Sequence, residues 1–263
     1  MFQQTRFYAS PNGIKIHFLE YGGAGPRVLV IPGIMSPAIT WGFVAERLAR
    51  SAHVFVMDVR GRGLSDQRTG LGHRLDDYAA DAAGLIEDLK INPAVVVGHS
   101  MGARIGIRLS ARYPAQVGRL VLADPPVSGP ERRPYPIPLE TYLTTIEKAR
   151  RGEPLPRAAN FTEHQQRLRC EWAPTCNPEA IIETYRSFHE EDIFADLPKV
   201  KCPTLLLYAE NGGTITDGDA AEAMGLLADA RFTKLAGVGH MMPWDNLDLF
   251  VQSFESFISA GRG

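Results

Sequence analysis

Short, continuous runs of apolar residues recur along the chain, and turn residues bound each run. Runs of this length without polar alternation are typical of strands covered on both faces, as in a parallel sheet. Six such strands are predicted, at residues 28–31, 54–56, 94–97, 120–123, 204–208 and 232–235.

Segments with helical spacing of apolar residues separate these runs, and helices are predicted at 41–50, 78–89, 105–111 and 247–258. Strands that alternate with helices predict an α/β fold with a mostly parallel, doubly wound sheet. Near the front of the chain, residues 6–9 and 14–20 flank a Pro-Asn-Gly turn at 11–13. This pattern predicts an antiparallel hairpin.

One long stretch breaks the alternation of strand and helix. After the strand that ends near Ala123, a proline-rich segment follows with helical patterns at 139–150 and 181–188, and no strand-like run returns before residue 204. We expect residues 126–199 to form a helical cap over a core made of 1–125 and 200–263. Ligands of open α/β sheets bind at the carboxyl edge, so the cap is expected to shape the pocket. An independent second domain is the alternative.

Composition narrows the classes of function. The 263 residues are 44% hydrophobic and 22% charged, which excludes a disordered chain. A net charge of −2 and the lack of a long apolar run give no sign of a nucleic-acid or membrane partner. The first residues carry no export signal, and the three cysteines are interpreted as reduced thiols, so a cytoplasmic location is expected. Cys170 and Cys176 have no matching pair of ligands, so zinc is not predicted.

The sequence Gly98-His99-Ser100-Met101-Gly102 lies between a predicted strand and a predicted helix. In that context Gly-x-Ser-x-Gly forms a nucleophile elbow, a sharp turn that exposes the serine hydroxyl at the edge of the sheet. Ser100 is therefore the predicted nucleophile. A chance glycine-rich turn is the alternative. A matching base and acid elsewhere in the chain would argue against it.

The base is predicted to be His240, because it follows the last predicted strand in a loop that returns to the edge where Ser100 lies. The other histidines are interpreted differently. His53 opens a strand and His99 is expected to pack, while His164 and His189 belong to the cap. A metal cluster at 189–192 is not favoured, since consecutive residues rarely converge on one ion.

Two carboxylates compete for the role of the acid that orients the histidine. Glu210 follows the strand at 204–208, whereas Asp124 directly follows the strand at 120–123 and is fixed by two prolines. Placement favours Asp124, with Glu210 kept as the alternative. Asp124 could instead serve only as a structural residue at the entrance to the cap.

An oxyanion hole requires two backbone N–H groups near the nucleophile. One is expected from Met101, and the other from Ile34 in the loop after the first parallel strand, where Gly33 allows a close approach. The glycine-rich sequence at 58–65 lacks the spacing of a phosphate loop, so no organic cofactor is implied, and no metal is implied either.

Together these motifs resemble the α/β-hydrolase family: Pro32-Gly33, Asp58-x-Arg60-Gly61-x-Gly63-x-Ser65, Gly98-x-Ser100-x-Gly102 and Gly239-His240. Longer stretches at 37–47, 121–130, 168–172 and 239–245 resemble its deformylases, which release formate from a small N-formyl amide in nicotinate breakdown. The resemblance implies an amidohydrolase with a Ser-Asp-His triad, whose acid follows the strand that here precedes Asp124.

Such a substrate is a small anionic amide, and its carboxylate needs a cationic partner when it is buried. Candidates in the cap are Arg132, Arg133 and Arg169. Arg60 and Arg62 are interpreted as structural, and Arg104 fits either role. An esterase or a carbon–carbon bond hydrolase is the alternative enzyme, and a ligand receptor on a hydrolase scaffold is the alternative outside enzymes. Dehalogenases and epoxide hydrolases are disfavoured, because their nucleophile is an aspartate.

Overall fold

The computed structural model describes residues 3–9, 13–158 and 160–260. The strands of this part of the chain form one sheet of eight strands, in the order β1-β2-β4-β3-β5-β6-β7-β8. The strands are β1 (Gln3–Ala9), β2 (Lys15–Tyr21), β3 (Arg27–Ile31), β4 (His53–Met57), β5 (Ala94–His99), β6 (Val117–Ala123), β7 (Thr204–Ala209) and β8 (Ala230–Leu235). β3 to β8 run parallel, which confirms the predicted doubly wound sheet.

Helices cover both faces of the sheet. They are α1 (Gly42–Leu48), α2 (Leu75–Asp88), α3 (Met101–Arg112), α4 (Leu139–Arg150), α5 (Glu163–Trp172), α6 (Pro178–Glu190), α7 (Asp217–Leu226), α8 (Met242–Asp245) and α9 (Leu247–Ser259). One apolar core joins the sheet to α2 and α3, and a second joins it to α1 and α9. In the described part of the chain, no helix is both long and apolar enough to cross a membrane.

The strands near the middle of the sheet are buried on both sides, as their continuous apolar runs predict. In β3, Val28 and Val30 pack into one core, while Leu29 and Ile31 pack into the other. Every residue of β5 is buried. Alternate side chains of one strand therefore stabilise opposite layers of the molecule.

β8 departs from the prediction of a strand covered on both faces. Phe232 is 56% exposed, and its strand neighbours from 231 to 234 are exposed as well. The reason is the position of β8 at the end of the sheet, where β7 is its only partner among the described strands.

The antiparallel pairing of β1 with β2 confirms the predicted hairpin, with Ala9 opposite Lys15. Residues 11 and 12 of its predicted turn lie outside the described residues. β2 also pairs antiparallel with β4, which joins the hairpin to the parallel strands.

The predicted insertion, residues 126–199, is the inserted segment between β6 and β7, and it contains α4, α5 and α6. The pattern at 139–150 matches α4, and the pattern at 181–188 lies inside α6. The sequence of α5 has no apolar stripe, so this helix was not predicted. None of its residues is buried. Thr162 is the N-cap of α5, and its hydroxyl accepts the N–H of Gln165 in a capping box.

Candidate active site

Ser100 joins the end of β5 to the start of α3 in a strained backbone conformation, with φ of 54° and ψ of −119°. Positive φ is unusual for a residue with a side chain. A side chain at Gly98 would collide with the carbonyl of Gly102, and one at Gly102 would collide with the carbonyl of Ile31. The motif glycines are therefore required for the turn. The Ser100 N–H donates to the carbonyl of Ala123 at 2.9 Å, which fixes the turn to the end of β6.

The Ser100 side chain is buried, at 2% exposure, and it faces a cavity. Its Oγ makes no hydrogen bond to His240, and the hydroxyl of Tyr135 lies beside it. His240 lines the same cavity. Contacts between a nucleophile and its base are often loose before substrate binds, so this geometry is compatible with proton transfer from serine to histidine.

Asp124 and His240 form a hydrogen-bonded pair in which only His240 is partly exposed. The Nδ1 of His240 lies 2.6 Å from Asp124 Oδ2, and Asp124 is fully buried. Asp124 also accepts the Ala209 N–H at 3.0 Å and the hydroxyl of Thr214. Burial alone raises the pKa of Asp124, but hydrogen bonds from His240, Ala209 and Thr214 outweigh it and hold the pKa below its ordinary value. The carboxylate is thus kept charged beside the imidazole.

Glu210, the alternative acid, lies elsewhere. Its side chain is exposed and accepts the N–H of Gly237 at 2.8 Å. It therefore stabilises the loop between β8 and His240, while the imidazole is held by Asp124.

His99 packs behind the pair, in agreement with its predicted packing role. Its Nε2 donates to the carbonyl of His240 at 2.8 Å, which fixes the proton on that nitrogen because a carbonyl can only accept. The ring lies 5.4 Å from Trp41 and 4.9 Å from the ring of His240, between centroids. Burial, followed by the charge of His240, lowers the pKa of His99 to about 3, so this imidazole is neutral.

The loop after β3 packs directly on the nucleophile, since a side chain at Gly33 would lie 3.4 Å from Ser100 Cβ. Ile34 and Met101 are both buried, and Met101 opens α3, where the first N–H groups have no partner within the helix. In the described ranges, neither the Ile34 N–H nor the Met101 N–H donates to another protein group. Both amides are available to a substrate oxygen.

The cavity has a volume of about 310 Å³ and lies between the carboxyl edge of the sheet and the inserted segment. Its lining is mostly apolar. Residues of the inserted segment form one wall, among them Tyr135, Ile137, Tyr142, Thr145, Phe161 and Arg169. A space of this size holds a small molecule.

The structure brings one of the three predicted arginines to the cavity. Arg169 lines it, and its guanidinium donates to the carbonyl of Pro156 at 2.8 Å. No carboxylate among the described residues pairs with Arg169, and burial lowers its pKa. Arg132 and Arg133 do not line the cavity, because Glu222 holds the first and Asp219 the second. For these two residues the expectation of substrate contact is corrected.

Arg60 and Arg104 each have a structural role. Arg60 pairs with buried Asp81, as expected. Arg104, left open by the sequence, is fully buried and donates to four backbone carbonyls, those of Pro126, Ser128, Ser187 and Glu191. It therefore joins α3 to the inserted segment and does not reach the cavity.

Two residues of the site carry no signal in the sequence. Thr214 supplies a hydroxyl to Asp124 from 90 positions away. Tyr135 lines the cavity, and its hydroxyl lies 2.9 Å from that of Tyr142. Burial raises the pKa of Tyr135, which the hydroxyls of Tyr142 and Ser100 counteract in part. Among the described residues, no group of three or more His, Cys, Asp or Glu side chains is placed to hold a metal ion.

Comparison with known proteins places the chain in a family. A model of the alpha/beta hydrolase family matches residues 28–253. The N-formylmaleamate deformylase of Pseudomonas putida is 44% identical over 253 residues, 95% of this chain and 94% of the relative. The 2-(acetamidomethylene)succinate hydrolase of Mesorhizobium japonicum is 27% identical over 261 residues, 90% of each chain.

A solved structure agrees with this result. It is a serine-to-alanine variant of N-formylmaleamic acid deformylase from Pseudomonas putida S16, with a TM-score of 0.89 and 40% identity over 95% of this chain and 100% of that one. The family model matches most of the chain, and Ser100 lies on the strand–turn–helix elbow that is typical of the family. This chain therefore belongs to the α/β hydrolase family.

Proposed function

We propose that the protein hydrolyses the N-formyl amide bond of N-formylmaleamate to give formate and maleamate. The observation that carries this proposal is that Ser100, the Asp124–His240 pair and one arginine, Arg169, adjoin a single small cavity. The 44% identity to a deformylase over nearly the whole chain supports the choice of substrate.

In the first step, Ser100 Oγ attacks the formyl carbon while Nε2 of His240 takes the hydroxyl proton. Asp124 holds the Nδ1–H of His240 and stabilises the imidazolium that forms. The former carbonyl oxygen becomes an oxyanion and accepts hydrogen bonds from the N–H groups of Ile34 and Met101. These donors are part of the fixed backbone, so they need no rearrangement when charge develops.

Collapse of the oxyanion breaks the bond between the formyl carbon and nitrogen. His240 returns the proton to the departing nitrogen, and maleamate leaves. This leaving group is easier to expel than an ordinary amine, because its own carbonyl withdraws electrons from the nitrogen. Water then attacks the formyl ester of Ser100, with His240 again as base. The bond between the formyl carbon and Ser100 Oγ breaks, His240 returns the proton to Oγ, and formate is released.

The substrate carboxylate is assigned to Arg169, a residue of α5. An unpaired carboxylate in a mostly apolar cavity is strongly unfavourable, and a guanidinium matches its geometry. Arg169 lines the cavity and has no carboxylate partner in the described ranges, which supports this role.

Two further assignments belong to the same proposal. Residues 126–199 serve as the cap of a core made of 1–125 and 200–263, an arrangement supported by the helices between β6 and β7. A reaction on a small metabolic acid also supports a cytoplasmic location.

The test is formate release from N-formylmaleamate by the purified protein. The unchanged protein should release one formate per maleamate, and Ser100→Ala should lose roughly 10⁴-fold or more in kcat while keeping its fold. Hydrolysis of aryl esters without formate release would favour an esterase. Labelling of Ser100 by a fluorophosphonate without turnover of any acyl substrate would favour a receptor.

A further inference from the structure

Arg62 is a buried arginine whose hydrogen bonds are all made inside the protein. It lies in the loop between β4 and α2 and is 1% exposed. A guanidinium has five N–H donors. Here all five have partners: Ile34 O at 3.0 Å, Arg60 O at 3.0 Å, Tyr78 Oη at 2.6 Å, Thr184 Oγ1 at 2.9 Å and Met101 Sδ at 3.7 Å.

Two of these five partners are the residues proposed to form the oxyanion hole. The Nε–H of Arg62 donates to the carbonyl of Ile34, and an Nη2–H reaches the side chain of Met101. Ile34 lies in the loop after β3 and Met101 opens α3, so the two amides come from separate elements. One rigid, planar group therefore touches both sides of the hole.

The Nη2 that reaches Met101 also fixes the guanidinium to the inserted segment, through Thr184. Thr184 of α6 donates its hydroxyl proton to Ala180 O at 2.6 Å, so its oxygen is left to accept. It accepts from Arg62 and from the hydroxyl of Tyr78, which lies 2.6 Å away. Tyr78 in turn accepts from Arg62. Every proton in this set of bonds has one direction, which gives the group a single arrangement.

The acceptors explain why this position requires an arginine. None of the five is a carboxylate, so the guanidinium is held by the directions of its bonds and not by one charged partner. A lysine keeps the charge but offers a point donor that cannot reach partners on the loop after β3 and on α2, α3 and α6 at once.

We propose that Arg62 is a positioning residue for the oxyanion hole, holding the Ile34 and Met101 amides at the spacing that the oxyanion requires and fixing that spacing to α6. This inference rests on the proposed function in assigning the two amides. Arg62 does not line the cavity, so it acts through the groups that it holds, the backbone carbonyl of Ile34 and the side chain of Met101.

The test compares Arg62→Lys with Arg104→Lys. Both arginines are buried and both join the core to the inserted segment, but the Arg104 side chain donates to carbonyls of other residues and makes no hydrogen bond to Ile34 or Met101 in the described ranges. Misplaced donors weaken binding of the transition state more than binding of the substrate. Arg62→Lys should therefore lower kcat roughly 10- to 100-fold with little change in KM. Arg104→Lys should lower the Tm while kcat stays near that of the unchanged protein.

Thr184→Val provides a milder change if Arg62→Lys folds poorly. It removes one acceptor of Arg62 with little change in shape, and it should lower kcat in the same direction by a smaller factor. An equal loss of kcat in the Arg62 and Arg104 variants, or a change confined to KM, would overturn the inference.

A second measurement separates this inference from the choice of substrate. A fluorophosphonate reacts with Ser100 and directs its phosphoryl oxygen to the same two amides, whatever the natural substrate is. Its rate of reaction should fall in Arg62→Lys and Thr184→Val but not in Arg104→Lys. If the unchanged protein is labelled and releases no formate, the proposed substrate fails while this pattern still supports Arg62. Equal rates in all variants would refute the positioning role.

Discussion

At the scale of single residues, Asp124 and Glu210 lie at the same carboxyl edge of the sheet but in different environments. Asp124 is buried at the end of β6 and accepts three hydrogen bonds, whereas Glu210 is exposed at the end of β7. The neighbours of Asp124 keep its pKa below the ordinary value even though burial acts in the opposite direction. A charged and fixed carboxylate is what an imidazole base requires.

Exchange of each carboxylate for its amide tests this difference. Asp124→Asn keeps the shape but favours the wrong tautomer of His240, so kcat should fall roughly 10⁴-fold. Glu210→Gln should change kcat little, since the Glu210 carboxylate accepts the Gly237 N–H and makes no hydrogen bond to His240 in the described ranges. Steady-state assays of formate release, with circular dichroism to check folding, measure both. The opposite order of effects would move the acid to Glu210.

Local signals made some of these residues predictable and left others hidden. Ser100 has glycines two positions away on each side, and His240 and Asp124 directly follow strand-like runs or their loops. Arg62 and Thr184 lie 122 positions apart, and nothing near either one in the sequence marks the contact. Roles that depend on pairing between distant segments become visible only once the chain is folded.

At the scale of elements, α5 carries Arg169 to the cavity, while Arg132 and Arg133 come from the segment before α4. Sequence spacing could not separate the three arginines, because each lies in the insertion. The same limit explains why α5 was missed and β8 was expected to be buried. The local pattern of apolar residues does not show which face of a helix or strand packs against another element.

The role of α5 predicts a preference for the charged substrate. N-formylmaleamate should be hydrolysed with a kcat/KM roughly 30-fold to several thousand-fold above that of its neutral methyl ester, because the ester leaves the Arg169 cation unmatched. Arg169→Met should remove most of this preference by slowing the acid.

Arg132→Met is the matched control, since Glu222 holds that arginine outside the cavity. It should leave the ratio of acid to ester unchanged. Equal kcat/KM values for acid and ester in the unchanged protein would count against a cationic subsite.

At the scale of the whole molecule, His99 lies where the sheet, α8 and the loop carrying His240 meet. It is buried in its neutral form, and the cost of charging it there links the stability of the fold to pH. The folded protein lowers the pKa of His99 to about 3, whereas the ordinary value is 6.5. Between these values the unfolded chain binds a proton that the folded chain does not.

Stability should therefore fall as the pH drops below about 6.5, and the contribution of His99 between pH 7 and pH 5 should be about 2 kcal/mol. Urea unfolding at the two pH values measures it. His99→Gln keeps a donor for the His240 carbonyl and has no proton to gain, so its loss of stability over this range should be smaller by that amount. An equal loss in both proteins would show that His99 titrates as it does in water.

The position of the insertion in the chain has an evolutionary consequence. Ser100 and His240 belong to the flanking segments and Asp124 directly precedes the inserted helices, whereas Tyr135 and Arg169 lie within the insertion. After gene duplication, mutations in the insertion of one copy can alter its choice of substrate while the catalytic residues of that same copy stay unchanged. Selection can then act on a working catalyst at every step. Thr184 is the point where this freedom is restricted, because its hydroxyl fixes Arg62.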